Sequence, residues 1–389
     1  MSLRPHQLKA ANAAFKLLQE HGMVAIFGLP RTGKTRAAIR TAELAAARNV
    51  LVMTKKAAIP GWEKELNATN PTFTRLVTNY EQAHKITGDF DLVIVDESHN
   101  LGTRGRPTQR VKKLRALCYN LPAIFLTGTP VIETPLSIYH QWCVTRHSPF
   151  NRFKNFYRFF DEYGVRNTTW ANGRDIELYD TCKESILLPL IEKYAVRISQ
   201  DDAGIEHQAQ DVVHVVPLEE RTKRWINCLM ADGVLGDKVF DTDIGVRTAI
   251  HQMEYGGLLY EEELLRAKNR EVVDYLLKTF GDSEDVCYLT HFRSTRAKLS
   301  DYFTRSPLLS SIADAEGVDL SHMRHVVIVN TGYSGAKFTQ LRERLVNMNR
   351  TTEALVHHIV TDAGISRDVY NAVSRKKDYN LAAFRRSRC

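Results

Sequence analysis

Five short apolar runs punctuate the first part of the chain: Met23–Phe27, Val50–Thr54, Arg75–Asn79, Asp91–Val95 and Ala123–Thr127. Between them lie helix-length segments in which apolar residues recur every three or four positions. Apolar runs of this kind, alternating with amphipathic helical text, predict a βαβ series: an α/β fold with a parallel sheet covered by helices on both faces. From Ser148 to Val196 the pattern changes to aromatic-rich helical text, RFKNFYRFFDEYGV and later YDTCKESILLPLIEKYAV, with no strand signal. A strand-like run at Asp211–Leu218 is followed by helical text through Phe280, and then CYLTHF, a helix at Ser294–Phe303, LLSSIA and HVVIVN resume the alternation. The pattern predicts a first domain over 1–147, a helical insertion or linker over 148–208, and a second α/β domain over 209–389 with its own helical insertion at about 219–280. Only a few residues separate Phe303 from LLSSIA. A βα crossover needs at least about 10 to 12, so the second domain reads as abbreviated by one βα unit.

Composition narrows the class. Apolar residues make up 43% and charged residues 25%, which suits packed cores and excludes global disorder. The apolar runs are far shorter than the roughly 20 residues of a membrane helix, and the amphipathic start, MSLRPHQLKAANAAFKLL, lacks the pattern of a secretory signal. A cytoplasmic protein of a bacterium or a host cell is expected. Six cysteines, Cys118, Cys143, Cys182, Cys228, Cys287 and Cys389, are scattered without a CxxC pair, against a disulfide framework or structural zinc. Lys and Arg total 53 against 45 Asp and Glu, a formal +8 that suits a polyanionic partner.

Two motifs carry chemistry. Gly28-Leu-Pro-Arg31-Thr32-Gly33-Lys34-Thr35 fits GxxxxGK[ST] at every fixed position, directly after an apolar run and before the helix former TRAAIRTAELAAA. In that context the loop and helix N-terminus cradle phosphates, Lys34 reaches the β- and γ-oxygens and the Thr35 hydroxyl binds Mg²⁺. Asp91-Leu-Val-Ile-Val-Asp96-Glu97-Ser98-His99 ends a strand in two carboxylates. Asp96 is placed to hold Mg²⁺ and Glu97 to polarise a water. ATP and Mg²⁺ are the cofactors these motifs imply.

The order of these and four further segments resembles superfamily 2 helicases, and in detail the Swi/Snf-like branch of double-stranded DNA translocases. The segments are LRPHQ at 3–7, VLVMTKKAAIPGWEKEL at 50–66, TNYEQA at 78–83, DESH at 96–99 and LTGTPVIETP at 126–135. The resemblance implies two RecA-like domains with ATP bound in a cleft between them. It implies that Gln7 contacts adenine, that Thr127 and Thr129 relay nucleotide state to the nucleic-acid groove, and that Lys55, Lys56 and Tyr80 with Glu81 face or support the tracked strand. Trp62 reads as a core aromatic, and ordinary surface charge is the alternative for the two lysines.

In the second domain, VCYLTHFRST resembles the opening core strand and brings His291 and Arg293 toward nucleic acid. DAEGVDLSHMRHVVIVN, with Gly317 and Asp319, resembles the loop that binds nucleotide and nucleic acid. Gln340 and Arg344 fall in the last motif. That motif departs from the family at Asn347, where an arginine finger is expected: either Arg350 or Arg342 substitutes after a register shift, or hydrolysis is impaired, or the chain is an altered form. Basic clusters at Arg104, Arg106, Arg110, Lys112, Lys113 and Arg115, and at Arg375, Lys376, Lys377, Arg385, Arg386 and Arg388, are candidate phosphate contacts, with a solvated face as the alternative. His357-His358 and the aromatic set Phe153, Phe156, Tyr157, Phe159 and Phe160 are assigned to packing.

These features imply an ATP-dependent motor on nucleic acid, duplex DNA in first place and RNA second, in a compact chain of the kind phages carry. Two alternatives remain open: a DNA-remodelling or regulatory module that binds ATP with little turnover, and a viral DNA-packaging ATPase. Protein partners are not indicated.

Overall fold

The computed structural model describes residues 3–28, 32–128, 134–171, 174–199, 201–203, 209–260, 263–266, 269–310, 320, 323, 325–335, 338, 339, 341, 354–375 and 377–388. It divides into two units, Met1–Ile205 and Glu206–Cys389. Each is a RecA-like α/β body around a parallel sheet.

The first unit holds helix α1 (Pro5–His21), strand β1 (Met23–Gly28), α2 (Lys34–Leu44), β2 (Asn49–Thr54), α3 (Ile59–Thr69), β3 (Thr74–Asn79), β4 (Leu92–Val95), α4 (Gln109–Cys118), β5 (Ala123–Thr127), α5 (Ile138–Trp142), α6 (Phe156–Tyr163), the antiparallel hairpin of β6 (Asn167–Ala171) and β7 (Arg174–Leu178), α7 (Glu184–Glu192) and β8 (Ala195–Ile198). Six of the strands form one sheet in the order β3-β2-β4-β5-β1-β8, every pair parallel. Alternate residues of β1 serve opposite cores: Met23, Ala25 and Phe27 join one cluster, Val24 and Ile26 the other. This is why the strand reads as a continuous apolar run.

The segment after residue 148 differs from the purely helical text its sequence predicts. It carries the β6–β7 hairpin, and its last strand, β8, pairs with β1 from Ala25↔Ala195 to Gly28↔Ile198. Phe150, Phe156, Phe159, Phe160, Tyr163, Leu187 and Ile191 join the same core as Met23 and Phe125. At about 1.5–3 kcal/mol for each large side chain buried, that cluster fastens the segment to the first unit. Of the five aromatics assigned to packing, Tyr157 is the outlier at 41% exposed.

The second unit runs β9 (Ala209–Val216), α8 (Glu220–Asp232), a short hairpin of β10 (Val234–Leu235) and β11 (Lys238–Val239), α9 (Asp243–Met253), a second hairpin of β12 (Gly257–Tyr260) and β13 (Glu263–Arg266), α10 (Glu271–Thr279), β14 (Val286–Thr290), α11 (Arg293–Leu299), β15 (Leu308–Ser310), β16 (His325–Ile328) and β17 (Ala354–Thr361), with later helices at Ser366–Ser374 and Leu381–Arg388. Its sheet has five parallel strands in the order β15-β14-β16-β17-β9. Among the described residues no helix of the chain is long and apolar enough to cross a membrane.

β17 is the strand its sequence hides, because two histidines interrupt ALVHHIVT. Both are buried and partnered. His357 Nδ1 lies 2.9 Å from His214 Nε2 and its Nε2 lies 3.0 Å from His325 Nδ1, while His214 Nδ1 meets the Tyr275 hydroxyl at 2.8 Å. On the other face His358 Nε2 meets Asp211 Oδ1 at 3.0 Å. Burial, then the neighbouring His214, His325 and His358, push the His357 imidazole down to about 4. Elsewhere in the unit the fully buried Glu254 accepts hydrogen bonds from Thr361 Oγ1 (2.6 Å) and the Ile365 amide (2.8 Å), yet burial lifts its carboxyl to about 7.

These two groups bias stability in opposite senses. Below about 6.5 the unfolded chain takes up a proton at residue 357 that the folded chain refuses until about 4, so acid removes stability on the order of 2–3 kcal/mol there. Glu254 binds its proton more tightly when folded, which adds stability as pH falls from about 7 toward its ordinary value. Comparing urea unfolding at pH 7.5 and 5 for the wild type and His357→Phe separates them: the variant is expected to show the smaller loss on acidification, and an equal or larger loss would refute the histidine contribution.

Candidate functional site

The glycine-bearing loop leaves β1 at the C-terminal edge of the first sheet and feeds α2. Gly33, the residue before the helix, has φ 89° and offers no side-chain cap, so the first N–H groups of α2 are not claimed by a capping side chain. A Cβ on Gly33 would sit 2.2 Å from Gln7 Nε2, and one on Gly28 would sit 2.8 Å from Thr32 Oγ1 and 3.1 Å from the Ile198 carbonyl. Both positions therefore need glycine, Gly33 for its left-handed backbone as well as for space. The Lys34 ammonium donates to the Gly28 carbonyl across the loop, and Thr35 follows in the first turn of α2. Thr32 is buried, and its carbonyl lies 3.1 Å from His6 Nε2. Gln7 is buried too: its Oε1 accepts from the Arg4 amide at 3.0 Å, closing the first turn of α1. Gly28, Thr32, Gly33, Lys34 and Gln7 thus form one cluster. Arg31 and Thr129 lie outside the described residues, as do Gly317, Asp319, Gln340, Arg342, Arg344, Asn347 and Arg350 of the second unit.

The carboxylates follow β4. Asp96 Oδ2 accepts from Thr54 Oγ1 and Trp62 Nε1, each at 2.8 Å, its amide donates to the Met53 carbonyl at 2.8 Å, and its own carbonyl accepts from the Tyr80 hydroxyl. Tyr80 is set by Asn79, whose side chain accepts from the amides of Glu81 and Gln82 at 3.1 and 3.2 Å. Glu97 then adopts φ 50°, ψ 46°, a left-handed conformation that costs a non-glycine residue about 1–3 kcal/mol. It is held there by Asn100, whose amide and side-chain Nδ2 both donate to the Glu97 carbonyl, at 2.9 and 2.7 Å.

Burial lifts the carboxyl of Asp96, and the neighbouring Glu97 adds to the lift. Burial works on Glu97 in the same sense, but the hydrogen bond and charge of His99, with the ammonium groups of Lys34 and Lys55, outweigh it and bring the group to about 2. His99 Nδ1 lies 3.2 Å from Glu97 Oε2 and 2.9 Å from Thr127 Oγ1. One imidazole therefore joins the acidic pair to the end of β5.

Several singled-out residues acquire definite positions. Thr127 is fully buried and faces His99. Trp62 is 2% exposed and, beyond packing, serves Asp96. Lys55 is half-buried and Lys56 exposed just after β2. The Arg110 guanidinium pairs with Glu81 at 2.7 Å and lies over the Tyr80 ring at 5.7 Å, linking the exposed basic face of α4 to Asp96 through Tyr80. In the second unit His291 follows β14, its amide donating to Asn330 Oδ1 at 2.5 Å, and Arg293 opens α11, exposed. Asn100 carries no signal beyond its place beside DESH, and Thr54 and His99, though inside recognised segments, carry no signal for these supporting bonds. Among the described residues no group of three or more His, Cys, Asp or Glu is arranged to hold a metal. The donor chemistry of Thr35 and Asp96, a hydroxyl and a carboxylate, suits magnesium, which takes few protein ligands and completes its shell with phosphate oxygens and water.

The sequence matches no family profile and no curated protein. The fold is similar to that of the ATP-dependent Type ISP restriction-modification enzyme LlaBIII, solved bound to DNA, with a TM-score of 0.50 and 14% identity over 98% of this chain. The chain spans 30% of the length of that enzyme.

Two glycines provide a test of the loop geometry. Gly33→Ala is expected to destabilise the protein by about 1–3 kcal/mol in urea unfolding. Gly61→Ala, in α3 with nothing within 4 Å of the new methyl, is expected to stabilise by about 0.5–1 kcal/mol. The same sign for both would contradict the left-handed placement of Gly33.

Proposed function

We propose that the chain is an ATP-dependent nucleic-acid motor that moves along or remodels double-stranded DNA. The observation that carries the reading is the meeting, on one sheet edge, of the loop around Gly33 and Lys34 with the Asp96–Glu97 pair, in the motif order of the Swi/Snf-like branch. Two further features support it: the exposed basic residues of α4, Lys112, Lys113 and Arg115, and the similar fold of an ATP-dependent enzyme solved on DNA.

In this reading the chain's own residues divide the work. The α2 N-terminus and Lys34 hold the phosphates, with Thr35 and Asp96 as magnesium ligands and Gln7 beside the loop as the adenine contact. Magnesium, when bound, offsets charge on the phosphate oxygens. Glu97, held as a carboxylate, orients and polarises the attacking water, and His99 fixes the orientation of that carboxylate while Thr127 fixes His99. Tyr80 is a positioning residue: it holds the peptide on which Glu97 turns. Lys55, Lys56, Arg110, His291 and Arg293 contact the phosphate backbone, and the nucleotide state shifts their grip. Salt should weaken DNA binding steeply, with little base preference.

ATP hydrolysis measured with no nucleic acid, single-stranded DNA, duplex DNA and RNA tests the reading. Duplex DNA is expected to give the highest rate, and Lys34→Ala and Glu97→Gln are expected to lower it about 10²-fold or more. Equal rates in all four conditions would sink the motor, while ATP binding without turnover would favour the regulatory module.

Tyr80→Phe offers a finer test. It removes only the hydroxyl that reaches the Asp96 carbonyl, so kcat is expected to fall about three- to tenfold with KM for ATP nearly unchanged. A rise in KM at constant kcat would remove Tyr80 from this role.

A further inference from the structure

The positive charge of the chain is concentrated in two stretches. Residues 104–115 hold six Lys and Arg with no acid, and residues 375–389 hold six with a single acid, Asp378. Together these stretches carry more than the formal +8 of the whole chain, so the remainder is slightly acidic. The first stretch belongs to the motor reading, and the second has no part in it. Like charges packed this closely repel one another and lower stability unless a polyanion neutralises them.

The second stretch is built on a fixed platform. It joins the helix Ser366–Ser374 to the helix Leu381–Arg388, and Ile365, Val369, Tyr379 and Phe384 all enter one apolar core. Arg247 Nη1 donates to the Tyr379 carbonyl at 3.1 Å, and the Tyr379 amide donates to the Tyr333 carbonyl at 2.9 Å. Asn380 Oδ1 accepts from the Ala383 amide at 2.9 Å in the first turn of the last helix. Asp378 Oδ1 accepts from the Gly335 amide at 2.8 Å, which ties the one carboxylate of the stretch to backbone.

The cations stand outward from this platform. Arg375, Lys377 and Arg386 are exposed, and among the described residues no acidic side chain pairs with any of the three. Arg385 pairs with Asp243 at 2.7 Å and is still 68% exposed. Arg375 follows the last turn of one helix, and Arg385 and Arg386 lie in the last turn of the other, where the helix dipole favours positive charge. The helices therefore form with these groups in place and leave their heads in water. Among the described residues no large apolar side chain is exposed between 375 and 388, so the surface lacks the apolar face with which a helix enters a lipid interface. Charge held rigidly, without apolar area, suits a regular phosphate backbone.

We propose that the segment Arg375–Arg386 is a second phosphate-binding surface, which holds the backbone of duplex DNA through Arg375, Lys377 and Arg386 without regard to base sequence or to ATP. It goes beyond the motor reading, because it lies wholly in the second unit and anchors the chain to DNA whether or not the phosphate loop turns over. An RNA duplex presents the same phosphates and is the other source of that chemistry.

Fluorescence anisotropy of the full chain, without nucleotide, on a labelled DNA duplex of about 20 base pairs from about 50 to 200 mM salt tests the surface. The triple variant Arg375→Gln, Lys377→Gln, Arg386→Gln is expected to bind at least about tenfold more weakly at about 100 mM salt, with the slope of log affinity against log salt lowered by about 2–3. Arg386→Gln alone should remove about one unit of that slope. A control triple variant, Lys16→Gln, Lys154→Gln, Lys193→Gln, removes the same charge from exposed positions of the first unit and is expected to weaken binding by less than about threefold. Thermal melts followed by circular dichroism should coincide for all the proteins. The same loss on an RNA duplex upholds the surface and adds RNA as a ligand. Equal weakening by the two triple variants, unchanged affinity and slope in the first, no duplex binding by the wild type, or a loss seen only with phosphatidylserine vesicles overturns it. ATP hydrolysis is not read, so the outcome is separate from that of the motor.

Discussion

In each unit the strands of the main sheet all run in one direction, and the chemistry depends on that constraint. A parallel strand covered on both faces gives its side chains to two cores, as β1 does, and has no room for a charged group along its length. Every loop that leaves a strand toward its helix emerges on the same edge. Polar residues placed just past the strands are thereby gathered without any contact between the strands that carry them. Lys34, Asp96 and Thr127 come from three separate strand ends, and His99 joins the last two motifs. The edge also tolerates unusual backbone: Gly33 and Glu97, both left-handed, occupy it, and the hydrogen bonds from Asn100 and Tyr80 keep the Glu97 turn in place.

The same geometry decides what can be read from the sequence. The first five strands are legible because burial on both faces makes them unbroken apolar runs, and the positions of the glycine-bearing loop and the acidic pair are legible because they directly follow such runs. β8 is not, since it is four residues long, carries the exposed Arg197, and owes its existence to pairing with β1 rather than to its own pattern. The β6–β7 hairpin lies in text dominated by aromatic helix, yet the Asn172-Gly173 pair between its two runs is a recognised hairpin signal. The bonds that support the site escape sequence reading for a different reason. Trp62 and Thr54 reach Asp96 from 34 and 42 positions away, and nothing in their local text distinguishes a buried donor aimed at a carboxylate from an ordinary core residue.

The second unit adds a different lesson about buried polarity. Its sheet places histidines on both faces of β17, and a fully buried carboxylate, Glu254, lies beneath the loop that opens the helix at Ser366–Ser374. Sequence patterning treats such residues as interruptions of a strand or a core. They are tolerated because each finds a partner across the sheet: imidazole to imidazole over β9, β17 and β16, carboxylate to the amides at the helix start. Hydrogen bonding between distant segments, which no local window contains, allows a polar residue to occupy a position that hydrophobicity alone would assign elsewhere.

The pairing of β8 with β1 has a mechanical meaning. The last strand of the first unit is β8, and Ile198, its last residue, stands beside Gly28, where the glycine-bearing loop begins. A pull on the connection to the second unit is therefore applied in shear along the strand that carries that loop, through the four rungs between Ala25 and Gly28. Shear across parallel rungs loads them together and resists extension far better than peeling, so β8 fastens the end of the first unit directly to the strand that leads into the glycine-bearing loop.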